Sequence, residues 1–103
     1  MEPFRILGQE ETKSGWTFEV EVGREDIEDE LRTFTVQLDE DYFDSIASDS
    51  SLSPSDVVEA TFEFLLSREP KESILPAFDI DEVSNYFPDF EDKLKELLEK
   101  RKS

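Results

Sequence analysis

Residues 16–22, Trp-Thr-Phe-Glu-Val-Glu-Val, alternate apolar and polar positions without a break. Successive side chains of a strand point to opposite faces. Trp16, Phe18, Val20 and Val22 therefore predict a buried face, and Thr17, Glu19 and Glu21 a wet one. Residues 32–38 repeat the pattern, with Phe34, Val36 and Leu38 inward and Thr33, Thr35 and Gln37 outward. A shorter apolar run, Phe4-Arg5-Ile6-Leu7, stops at Gly8, and the polar stretch 9–15 with its Ser14-Gly15 step suits a hairpin connection. Gly23 closes the second run, and a crowded acidic connection over 24–30 leads to the third. Three strands joined by short links predict an antiparallel meander over residues 1–38.

From Asp39 the period becomes helical. Asp39 or Asp41 can cap a short helix reaching Ala47, with Tyr42, Phe43 and Ile46 inward, before Ser48-Asp49-Ser50-Ser51 breaks it. Ser53-Pro54-Ser55-Asp56 combines a Ser cap, Pro at the first helical position and an acid at the third, a strong helix start. That helix carries Val57, Val58, Thr61, Phe62, Leu65 and Leu66 and must stop before Pro70. It is the most apolar helix and is expected to lie across the sheet. Residues 74–78 read as an apolar connector. Asp79 with Glu82 three residues later predicts a short helix including Ile80, Val83, Tyr86 and Phe87, ended by Pro88. Tyr86 and Phe87 are expected to pack as a helix–helix corner. Asp89 can cap the last helix, where Phe90, Leu94, Leu97, Leu98 and Arg101 share a stripe. The expected fold is α+β: a three-stranded antiparallel β-meander followed by three to four helices packed on one face. Its expected core includes Trp16, Phe18, Phe34, Val36, Phe62, Leu65 and Leu98, all within a single domain over 1–103 (meander 1–38, helical part 39–103).

Charge narrows the partners. The 103 residues hold 28 Asp and Glu against 11 Lys and Arg, a formal net charge of −17. Nucleic acid binding relies on cations that neutralise phosphates, so this balance disfavours nucleic acid, and an anionic membrane surface for the same reason. A basic protein is the natural complement, since opposite fields raise encounter rates. Solubility explains the charge equally well. The imbalance is steeper early: 15 acids against 4 bases in residues 1–52, and 13 against 7 in residues 53–103. The candidate partner-binding residues are accordingly Glu19 and Glu21 on the wet strand face, with Glu25, Asp26, Glu28, Asp29 and Glu30 in the acidic connection.

The chain has no His and no Cys. That removes the commonest general acid/base, the thiol nucleophile and the usual transition-metal ligands. Asp39, Asp41 and Asp44, or Asp79 and Asp81, can donate oxygens to calcium or magnesium, but no EF-hand loop surrounds them and helix capping explains them without a metal. Gly-rich phosphate loops and nucleophile elbows are absent. No catalytic, cofactor-binding or metal site is assigned, and no cofactor is expected; a carboxylate-dependent enzyme is the remote alternative. No apolar run reaches the length of a membrane span, and Met1-Glu2-Pro3-Phe4 lacks the basic start of a signal peptide, so the expected location is cytoplasmic.

Residues 32–66 form an alternating strand, an acid-capped short helix, a polar break and a Ser-capped helix. In order and spacing this resembles the ribbon-helix-helix domain of small bacterial repressors and antitoxins, carried by residues 33–40 and by residues 53–60 continuing to Phe62 and Leu65. In that family two chains pair their ribbons and insert the outward residues into the major groove. The resemblance places Thr33, Thr35 and Gln37 in that role. The segment 78–90 is similar to the C-terminal ends of small bacterial proteins of uncharacterised function, and that likeness implies no activity. The leading expectation is a non-catalytic interaction module for a basic protein, as monomer or homodimer; the alternative is a ribbon-helix-helix regulator or antitoxin.

Overall fold

The computed structural model describes residues 3–23, 31–47 and 52–101. Strands β1 (Phe4–Glu11), β2 (Gly15–Val22) and β3 (Arg32–Asp39) form the expected antiparallel meander. A fourth strand, β4 (Ala77–Asp79), pairs parallel to β3, so the sheet is mixed, in the order β1-β2-β3-β4. Among the described residues the helices are α1 (Glu40–Ile46), α2 (Pro54–Arg68), α3 (Val83–Tyr86) and α4 (Phe90–Arg101), with 3-10 turns at Lys71–Ser73 and Ile80–Glu82. The expectation of three strands is thus corrected to four. The apolar connector contains β4, and a single inward Phe78 cannot display a period of two.

The first hairpin is longer than expected. β1 runs through Gly8 to Glu11, with a bulge where pairing shifts between Ile6 and Gly8. The turn itself is Thr12 to Ser14, closed by the Thr12 N–H donating to the Gly15 carbonyl at 2.8 Å. Polar residues 9–11 pair as an edge strand without burying a face, which is why alternation did not mark them. At the other end Gly23 turns the chain with φ 127°, a conformation that L side chains rarely adopt.

Phe18, Val20, Val22, Phe34, Val36 and Leu38 are all buried on one face of the sheet. Trp16 is only half-buried and meets Phe43 of α1 edge-on, with ring centroids 5.4 Å apart. Helix α2 begins with a capping box: the Ser53 side chain accepts from the Asp56 N–H, and the Asp56 carboxylate accepts from the Ser53 N–H at 2.8 Å. It buries residues on two sides. Phe62 faces the sheet, with ring centroids 5.8 Å from Phe4, 5.6 Å from Phe34 and 6.0 Å from Phe78. Phe64, two residues on and therefore across the helix, packs on Phe90 at 5.1 Å and Phe87 at 5.5 Å. Thus α2 lies between the sheet and the C-terminal helices.

Helix α4 presents Phe90, Leu94 and Leu98, four residues apart, to this core. Its ends are held by charge. The Asp89 carboxylate pairs with Arg68 of α2, and the guanidinium of Arg68 also lies 4.6 Å from the centre of the Phe64 ring. Arg101 donates to Glu59 at 2.8 Å and Glu63 at 2.9 Å, and reaches Asp56 at 3.4 Å. Tyr42 of α1 donates to Glu91 at 3.5 Å, and burial together with that carboxylate pushes its phenol well above the ordinary range.

Candidate functional site

Among the described residues the helices pack on one face of the sheet, and the other face carries exposed and half-buried side chains. Strand register fixes what it shows. Arg5, Glu21 and Thr33 stand in one row; Gly8, Glu19, Thr35 and Ala77 in the next; Glu10, Thr17, Gln37 and Asp79 in the third. The predicted acidic pair Glu19 and Glu21 and the predicted ribbon residues Thr33, Thr35 and Gln37 therefore share one surface. Glu21 accepts from the Arg5 Nε at 3.2 Å, a partly neutralised contact at the edge of that face. Glu10, Glu19 and Asp79 extend the negative charge across the other two rows. The remaining acidic candidates, Glu25, Asp26, Glu28, Asp29 and Glu30, lie outside the described residues.

Strand β3 is interior. It pairs with β2 along its whole length, and Thr35, Val36 and Gln37 pair with β4 on the opposite side. The backbone a ribbon would offer to a second chain is occupied there on both sides.

A polar cleft of about 360 Å³ opens where this face meets the start of α1, lined among others by Thr17, Gln37, Asp39, Asp79 and Asp81. Asp39 is committed to capping α1, accepting from the Asp41 N–H at 2.9 Å and the Tyr42 N–H at 3.4 Å. Asp79 makes no side-chain cap hydrogen bond to the 3-10 turn that follows it. The Asp81 carboxyl is pushed up from its usual value by burial, then by Asp79 and Asp39. Among the described residues no group of three or more carboxylates is arranged to hold a metal ion.

A second feature was missed by periodicity. Leu65, Ile74, Leu75, Phe78, Tyr86 and Phe87 line an apolar groove of about 390 Å³ beside β4. The expected packed corner at Tyr86 and Phe87 is corrected in part: Phe87 packs on Phe64, but Tyr86 is 67% exposed. A helical pattern marks both as apolar, and only the neighbouring helix decides which is covered. The absence of a polar residue between Ile74 and Phe78 was the one available signal.

No helix among the described residues is long and apolar enough to cross a membrane. No family model matches the chain, and it is similar to no curated protein and to no solved structure.

Proposed function

We propose that this domain is a non-catalytic protein-interaction module whose open sheet face receives a basic partner protein. The observation that carries the reading is the register of the sheet, which sets Glu10, Glu19, Glu21 and Asp79 on the face turned away from the core, with Arg5 as its counterweight. A broad field of one sign speeds the encounter with an oppositely charged partner and selects against acidic ones. The test is titration of Lys/Arg-rich peptides against the chain by fluorescence anisotropy at low and moderate salt. Glu10→Lys with Glu19→Lys should weaken binding severalfold more than Asp92→Lys with Glu96→Lys, which makes the same change in net charge on α4. Equal losses from the two pairs would mean that only total charge matters, and the face would lose its role.

The ribbon-helix-helix alternative is less favoured, because both sides of β3 are hydrogen-bonded at Thr35 to Gln37. It requires a dimer through β3, with β4 displaced. Light scattering behind a sizing column, at low and high salt, tests it: a salt-stable dimer would revive it, and a monomer would retire it. The carboxylate-enzyme reading has no arrangement of groups among the described residues in its support.

A further inference from the structure

We infer that the apolar groove beside β4 is a docking site for an extended segment of a partner protein, carrying an apolar anchor flanked by Lys or Arg. The inference rests on the reading of the chain as an interaction module but uses a different surface from the acidic sheet face. Three large apolar side chains are exposed among the described residues, and two of them, Leu75 at 53% and Tyr86 at 67%, line this groove. Exposed apolar surface concentrated around a concavity marks a binding site more often than the same residues scattered singly.

The neighbouring backbone indicates an extended occupant. β4 is the edge strand, and the Thr35 N–H donates to the Pro76 carbonyl at 2.9 Å. In a parallel ladder alternate residues of a strand bond to the same neighbour, so with Pro76 and Phe78 turned to β3, the N–H and C=O of Ala77 face the open side. An added strand can pair there and drop alternate side chains towards the groove, a recurrent mode of peptide capture.

Charge selects the occupant. Glu69 lines the groove, and Glu82 adjoins the lining residue Val83. The cations nearest in sequence are paired: Lys71 is only 3% exposed and lies 3.7 Å from Glu72, and Arg68 is paired with Asp89. A second copy of this chain would bring the same carboxylates against one another in a two-fold contact, on top of a net charge of −17 in each protomer. Basic flanks on a foreign segment meet the acids instead.

The experiment is selection of random dodecapeptides displayed on phage against the full chain, followed by binding of the enriched synthetic peptides. Enriched peptides should share an apolar anchor between Lys or Arg residues. Leu75→Ser with Tyr86→Ser should weaken them about tenfold or more, a hot-spot-sized loss, while both substitutions leave thermal stability nearly intact because the side chains are exposed. Glu10→Lys with Glu19→Lys should leave this binding within about twofold, and bound peptide should slow exchange of the Ala77 amide. No enrichment, enrichment of peptides lacking the anchor, or unaltered affinity in the Leu75/Tyr86 variant would overturn the inference. Loss of binding in the Glu10/Glu19 variant alone would also overturn it while supporting the sheet-face reading. A dimer of the free chain that the Leu75/Tyr86 variant abolishes would assign the groove to a second copy instead.

Discussion

Gly15 lies so close to the Leu38 carbonyl that a Cβ at this position would stand 2.0 Å from the oxygen. The Glu40 N–H and the Asp39 Cα close the same space at 2.9 and 3.0 Å. All three are backbone atoms at the junction of β3 and α1, where the Glu40 N–H also donates to the Ser14 carbonyl at 2.8 Å. Gly15→Ala must therefore push the first hairpin away from that junction, at a cost of roughly 3 kcal/mol. Gly8→Ala is the control: nothing lies within 4 Å of its Cβ, and the change should be within about 0.5 kcal/mol of neutral. Urea denaturation of the two variants measures the contrast.

Phe62 joins the sheet to α2 through three other rings. It is fully buried and contacts Phe4, Phe34 and Phe78, one on β1, one on β3 and one on β4. Phe62→Ala should cost about 3–5 kcal/mol, enough to unfold a domain of ordinary stability under mild conditions. The same substitution at the solvent-exposed Tyr86 should leave the unfolding midpoint almost unchanged.

Arg101 is a clasp between the last turn of α4 and the exposed side of α2. Its side chain is 25% exposed and is shared by Asp56, Glu59 and Glu63. Arg101→Met keeps most of the stem and removes the charge. Because the network is only partly shielded, the expected loss is about 1 kcal/mol in low salt, shrinking in high salt. Thermal melts across a salt series should show wild type and variant converging.

Asp81 predicts the opposite sign. Its raised pKa means that the folded chain holds this proton more tightly than the unfolded chain does. The associated stability is full below the unfolded value of about 4 and is lost as the pH rises through the folded value. Asp81→Asn should consequently raise the melting temperature near neutral pH by about 2 °C, the scale of a surface charge change of ~0.5 kcal/mol. Near pH 3, where Asp81 is protonated in both states, the gain should disappear. Equal gains at both pH values would show that neither burial of the Asp81 charge nor its repulsion from Asp79 and Asp39 is the cause.

Strands β2 and β3 were legible because each is long enough to display its alternation and has one face against the core and one in water. The helix starts were legible through local chemistry, as at Ser53-Pro54-Ser55-Asp56, where the capping atoms sit three residues apart. β4 was not, since three residues with one inward ring carry no period, and its pairing with β3 is decided by α2 lying over both. The same limit hid the groove. Phe87 and Tyr86 are adjacent and both aromatic, and it is the position of Phe64, not their own sequence, that covers one and leaves the other at the surface. Of the candidate site residues, Glu19, Glu21, Thr33, Thr35 and Gln37 fell on the open face as alternation required, because a wet face is written into every second position of the strand.

The parallel seat of β4 also sets a timetable. The strands of the meander are close in sequence, so β1, β2 and β3 can assemble as soon as their residues are available, whereas β4 waits for the whole of α1 and α2 to be laid down. During synthesis on the ribosome, β3 therefore stands for a time as an unprotected rim, the kind of surface through which nascent chains adhere to one another. The first half of the chain carries 15 acids against 4 bases, and that like charge on neighbouring copies opposes such contact.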